Sequence, residues 1–182
     1  MIVSGKTRAT PIARNIALVG MMGVGKTSIG KRLSQRLNLP FADADHEIVA
    51  AAGMPIVEIF EKFGESHFRD GERRVIARLL QESPKVLATG GGAFMNAETR
   101  ALLLEKAFVI WLDADIETLL ARVTRKNDRP LLNGGDPAQT LRRLAEERNP
   151  VYAKAHLHVR SNVGPHDITV EHILKGLSCQ NQ

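Results

Sequence analysis

Asn15-Ile-Ala-Leu-Val-Gly20-Met-Met-Gly-Val-Gly25-Lys26-Thr27 decides the architecture. The apolar run before Gly20 reads as a buried strand. The last eight residues match G-x-x-x-x-G-K-[S/T], and a helix predicted over 26–37 completes the strand–loop–helix context that this pattern requires. Glycines let backbone N–H groups curl around phosphate oxygens, and the helix adds its positive N-terminal end. Lys26 is placed to reach the β- and γ-phosphates of a nucleotide, and the Thr27 hydroxyl to ligate Mg²⁺. With glycine near 7% of average composition, a chance match in a chain of this size is roughly a one-in-a-hundred event, so the loop is read as functional.

Outward from that loop, short apolar strands alternate with helical patterns. Further strands are predicted at 40–44, 86–89, 107–112 and 156–160. Helices are predicted at 46–52, 56–63, 68–81, 96–105, 137–148 and 165–177, with another after Asp115, a predicted N-cap. There Ile116, Leu119, Leu120 and Val123 recur at helical spacing. Strands separated by helices imply βαβ crossovers, hence an α/β fold with a parallel sheet covered on both faces. The 182 residues, 43% hydrophobic and 25% charged, fit one globular domain and exclude wholesale disorder or a fibre. That domain is expected over 15–178, after a disordered basic arm at 1–14 and before a tail at 179–182. No uncharged apolar run is long enough to span a bilayer. The single cysteine, Cys179, excludes an internal disulfide and fits a cytoplasmic protein.

The residues that carry chemistry cluster at strand ends, where ligands bind in open parallel sheets. Asp43 and Asp45 are expected to close the second strand. Two apart on a strand, they face one crevice but cannot share one atom. Asp43 is therefore assigned to the water shell of Mg²⁺ and Asp45 to an acceptor hydroxyl; the bland alternative makes one of them a helix N-cap. Thr89-Gly90-Gly91-Gly92 removes side chains at the end of the third strand, so that a ligand can lie directly on backbone amides. No aspartate ends this strand, which raises the value of Asp43. Arg69, predicted at a helix start, makes sense if it projects at an anion. Arg148, predicted to end a helix before a proline turn, offers a second guanidinium, and such forks suit a carboxylate. Arg122, Arg125, Lys126 and Arg129 precede the glycine-rich stretch ending at Asp136, read as a lid over 124–138. Arg129 at its edge is the candidate to swing onto the transferring phosphate.

These motifs resemble the shikimate kinase family from about residue 16 to 177. The shared features are the P-loop, Asp43-Ala-Asp45, Glu61-Lys-Phe-Gly-Glu65 with Phe68-Arg69, Gly90-Gly-Gly92, Arg129-Pro-Leu-Leu132 and Arg148-Asn-Pro-Val-Tyr152, in order. The resemblance implies a nucleoside-monophosphate-kinase-like P-loop fold with five parallel strands in the order 2-3-1-4-5. It also implies Mg²⁺- and ATP-dependent phosphorylation of the shikimate 3-hydroxyl. By the same resemblance Asp45, Arg69, Gly90, Gly91, Gly92 and Arg148 are acceptor contacts, within an acceptor region at 45–73. Gly23, Val24, Gly25, Lys26, Thr27, Ser28, Arg122, Arg129 and Pro165 serve ATP, Thr27 and Asp43 serve the metal, and Lys26, Asp45 and Arg129 are catalytic. The family's loop before the last helix often holds an arginine beside an Asn-Pro pair; here that stretch is Ser161-Asn-Val-Gly-Pro165-His166. A monomer is expected.

Two other readings compete. A gluconate-kinase-like enzyme shares the architecture and a carboxylated acceptor. The net charge of +5 fits a nucleic-acid binder, but the 4% aromatic content leaves few platforms for stacking bases. No nucleic-acid or membrane partner is therefore expected.

Overall fold

Strand β1, Asn15–Val19, is buried at every position and sits in the middle of the sheet, as an unbroken apolar run should when both faces are covered. In the computed structural model, which describes residues 14–124, 136–161 and 164–179, the chain continues through α1 (Lys26–Leu37), β2 (Phe41–Asp43), α2 (Ala44–Ala52) and α3 (Ile56–Gln81). It then forms β3 (Val86–Ala88), a 3₁₀ turn at Ala93–Met95, α4 (Ala97–Lys106), β4 (Ala107–Asp113) and α5 (Ile116–Val123). The last elements are α6 (Pro137–Tyr152), β5 (Leu157–Arg160) and α7 (His166–Cys179). The five strands lie in the order β2-β3-β1-β4-β5, all parallel, as the resemblance implied. The arm except Arg14, the tail beyond Cys179, Arg125, Lys126, Arg129 and nearly all of the expected lid lie outside the described residues; Arg14 donates to the carbonyls of Leu104 and Glu105.

Helices cover both faces. On one, α1 and α7 run side by side, tied by Arg36–Glu171 at 2.6 Å and Arg32–Asp167 at 3.5 Å. Close approach explains two glycines within them: a Cβ on Gly30 would meet Phe41 Cε2 at 2.6 Å, and one on Gly176 would meet Leu157 Cδ2 at the same distance. On the other face α3 packs on α4, with Arg73–Glu98 at 3.1 Å across the seam. The main core gathers Ile16, Leu18, Ile29, Leu33, Leu87, Ile110 and Leu112, all fully buried. Each such side chain contributes about 1.5–3 kcal/mol by leaving water. A smaller cluster of Ile48, Ile59 and Phe68 lies apart from it, between α2 and α3.

Several predicted boundaries shift for local reasons. The helical segments expected at 56–63 and 68–81 form one element broken at Gly64, whose φ of 81° and ψ of 172° are non-helical. The helix therefore resumes straight after Gly64, and Arg69 lies within it rather than at its start. Helix α6 does not end at Arg148 but runs through Pro150 to Tyr152; a proline in the last turn forfeits one backbone bond without ending the helix. Asp115 holds the N-cap position of α5, but its side chain makes no cap bond and instead pairs with Arg160 at 3.2 Å. Among the described residues no helix is long and apolar enough to cross a membrane.

Candidate active site

The turn from β1 into α1 takes positive φ at Gly20, Gly23 and Gly25 (138°, 79° and 101°). Only glycine reaches these values without strain, so the curled loop follows from the spacing read in the sequence. Lys26 Nζ donates to the carbonyls of Gly20 and Met21 at 2.8 and 3.0 Å, which holds the ammonium over the loop. The Val24 carbonyl accepts from Arg122 Nη1 at 3.0 Å and from Ser161 Oγ at 3.2 Å. Those two bonds tie the loop to α5 and to the end of β5. Burial holds the Arg122 guanidinium somewhat below its usual range.

Asp43 ends β2, but Asp45 does not follow it on the strand. The helix begins at Ala44, so the paired-carboxylate face expected from strand parity is replaced by a cap. Asp43 is the N-cap of α2 and accepts from the Asp45 N–H at 3.1 Å with one oxygen. Its other oxygen accepts from Thr27 Oγ1 at 2.7 Å. The capping alternative holds for Asp43, and its second oxygen is left facing Thr27. Asp45, in the first turn of α2, still faces the same cavity.

The three glycines after β3 leave room for neighbouring side chains. None has positive φ among the described residues; what they lack is the Cβ. At Gly92 a Cβ would stand 2.9 Å from the Arg69 Cζ, and at Gly90 it would stand 2.8 Å from Asp45 Oδ1 and 2.9 Å from Glu72 Oε1. At Gly91 the nearest side-chain atom is Arg148 Nη1, at 3.6 Å. The run makes room for Asp45, Glu72 and Arg69, and Asp45, Arg69 and Arg148 all approach this one strand end.

Two residues beside them escape sequence reasoning. Glu72 is 1% exposed and accepts from Arg69 Nη1 at 2.7 Å. Burial pushes its carboxyl above the usual range, against the opposing pull of Arg69, and its Oε1 has no hydrogen-bond partner among the described residues. The anion that Arg69 meets is thus partly supplied by its own helix three residues on, a spacing that exposes one signal, Arg-x-x-Glu. Tyr152, four residues after Arg148 on α6, donates its hydroxyl to the Gly91 carbonyl. Burial pushes its phenol up to about 12, with Arg148 pulling the other way. It pins the glycine run from below, stacked against Phe94 and Trp111.

One cavity of about 550 Å³ joins the P-loop to Asp45 and Gly91, while Arg69 and Arg148 lie outside its lining. Gly23, Gly25, Lys26, Thr27 and Ser28 line it at the P-loop, Asp43, Asp45, Thr89 and Gly91 on the β2–β3 side, and Thr118, Ala121, Arg122, Gly164 and His166 on the β4–β5 side. Pro165 lies between two of these lining residues, its carbonyl accepting from the Ile168 N–H at 3.2 Å. Thr27 and Asp43 present a hydroxyl and a carboxylate at one point. No cluster of three or more His, Cys, Asp or Glu that could hold a metal occurs among the described residues. Two hard oxygen donors suit Mg²⁺, which keeps several waters and takes substrate phosphates as its other ligands.

A family model described as shikimate kinase matches residues 22–178. A curated relative, the shikimate kinase of Caulobacter vibrioides strain NA1000, is 61% identical over 165 residues, covering 91% of this chain and 82% of its own. Among solved structures, that of shikimate kinase from Acinetobacter baumannii in complex with shikimate superposes with a TM-score of 0.89 at 40% identity, covering 94% of this chain and 96% of that one. A gluconokinase from Sinorhizobium meliloti 1021 reaches a TM-score of 0.66 at 18% identity, over 94% of this chain and 95% of its own, a likeness of fold alone. With its P-loop, its strand order and a family match over most of its length, this chain belongs to the shikimate kinase family.

Proposed function

We propose that this chain transfers the terminal phosphoryl group of MgATP to the 3-hydroxyl of shikimate. The observation that carries this reading is the single cavity running from the P-loop to Asp45 and Gly91, with Arg69 and Arg148 closing around the same glycines. Its P-loop side suits nucleotide phosphates, and Asp45 and Gly91 face it from the β2–β3 side. The acting unit is residues 15–178, with 45–73 as its acceptor region.

In phosphoryl transfer the transition state is loose and its charge spreads over the equatorial oxygens, so the protein's task is positioning and charge compensation. Lys26 and the P-loop amides take the β- and γ-phosphate oxygens. Thr27 and Asp43 would hold magnesium, which would neutralise charge on those phosphates. Arg69, with one edge fixed by Glu72, and Arg148 bind the acceptor carboxylate. Asp45 then orients the acceptor hydroxyl and accepts its proton as the oxygen–phosphorus bond forms and the bond to the ADP oxygen breaks. Arg129 is assigned to the transferring group on the resemblance alone.

The test is ADP release from MgATP with shikimate, with gluconate and with neither. Release that depends on shikimate is expected. Release with gluconate and none with shikimate would overturn the assignment in favour of the fold neighbour's chemistry.

A further inference from the structure

His166 opens α7, and its ring lies against the P-loop. A Cβ on Gly25 would meet its Cε1 at 3.1 Å and its Nδ1 at 3.7 Å. It shares the cavity with Gly25, Ser28 and Arg122, on the β4–β5 side of β1, whereas Asp43 and Asp45 follow β2 at the opposite edge of the sheet. Its Nδ1 is buried and has no hydrogen-bond partner among the described residues. Buried polar atoms are nearly always satisfied, so a nitrogen left bare at the wall of a ligand cavity marks a contact that the ligand completes.

The surroundings set the form of the ring. Burial first, then the guanidinium groups of Arg122 on α5 and Arg32 on α1, hold the imidazole below its usual range, while Asp167 beside it on α7 pulls the other way. The Asp167 carboxylate is itself paired with Arg32 at 3.5 Å. The positive end of α7 adds to the same bias. At neutral pH the ring therefore offers one N–H and one lone pair, a directional partner for a nucleotide rather than a charge.

We infer that His166 is a nucleotide-binding residue of this chain, its ring nitrogen bonding the nucleotide where α7 meets the P-loop. The inference rests on the kinase reading and adds to it a contact on the nucleotide side. A linkage follows. Phosphate charge arriving beside Arg122 offsets the positive field that opposes protonation, so the bound nucleotide favours the imidazolium. Nucleotide affinity must then rise as pH falls through the His166 range, which lies below about 6.5 in the free protein.

Titration calorimetry with MgADP, which needs no acceptor, tests this on the full-length chain, His166→Ala and His166→Asn at pH 7.5 and pH 5.5. At pH 7.5 His166→Ala is expected to raise the ADP Kd about three- to tenfold, the loss of one neutral hydrogen bond. His166→Asn, which keeps a polar atom near the Nδ1 position, should lose less. The part of the acid-side tightening due to His166 should vanish in both variants. In turnover assays His166→Ala should raise the ATP KM and leave kcat and the shikimate KM near those of the parent. Equal ADP affinities in all three proteins at both pH values would overturn the inference and leave the kinase reading standing. A parent chain that binds no MgADP would overturn the kinase reading and this assignment with it.

Discussion

Asp43 caps α2 with one oxygen and, in the proposed mechanism, serves magnesium with the other, and a pair of substitutions separates the two. Asp43→Asn keeps a capping oxygen for the Asp45 N–H, because asparagine caps about as well as aspartate, but it removes the charge that faces Thr27. Asp43→Ala removes both. Loss of an N-cap costs about 0.5–2 kcal/mol, and in a chain of this size each kcal/mol lowers Tm by roughly 2–4 °C. Asp43→Ala should therefore melt about 1–8 °C below the parent, and Asp43→Asn within a degree or two of it. Turnover should divide the variants differently: both are expected to fall at least tenfold at low magnesium, with partial recovery as magnesium is raised. Thermal melts without nucleotide and ADP release across a magnesium series make the comparison. Parent-like turnover of Asp43→Asn at every magnesium concentration would show that the residue only starts a helix.

Gly92→Ala faces no backbone strain at φ −96°, but its methyl would displace the Arg69 guanidinium; the shikimate KM should rise at least tenfold while that for ATP holds. Glu72→Gln removes a carboxyl whose pKa is raised by burial. In the parent the native state keeps a proton that the unfolded chain sheds near pH 4.5, so stability should fall as pH rises from there through the folded value; melts across pH 4–8 should show that slope flattened in the variant. Tyr152→Phe orphans the Gly91 carbonyl, and a loss of about 1–3 kcal/mol in stability should accompany a fall in kcat/KM for shikimate larger than that for ATP.

The P-loop was legible because its chemistry is local: glycine spacing and one strand-to-helix junction determine it. The α/β alternation was legible for the same reason. The strand order came from the family resemblance, since alternation alone does not say which strands neighbour which. Asp43 and Asp45 were misplaced relative to each other because β2 is only three residues long, and a period-two argument has no purchase on so short a strand. Arg69 was placed at a helix start because Gly64, rather than the residues just before Phe68, makes the break. Glu72 stood unnoticed within Asp70-Gly-Glu72-Arg73-Arg74, where every neighbour but glycine is charged; its burial is a fact of how α3 lies against the β3 end. His166 likewise reads as an ordinary first-turn residue until α7 is laid beside the P-loop.

The smaller cluster of Ile48, Ile59 and Phe68 straddles the break at Gly64, with Ile59 before it and Phe68 after it. Even with Met54, Ile56, Phe60 and Val75 packed against it, this cluster buries far less than the main core, so α2 and the first half of α3 are expected to part from Phe68 as a unit while the sheet stays shut. Amide protons there should exchange through such partial openings well before those of β1 and β4. Phe68 precedes Arg69, so each opening also loosens one grip on the acid. On the proposed mechanism, the acceptor side would thus rest on softer ground than the P-loop, which springs from the central strand of the sheet.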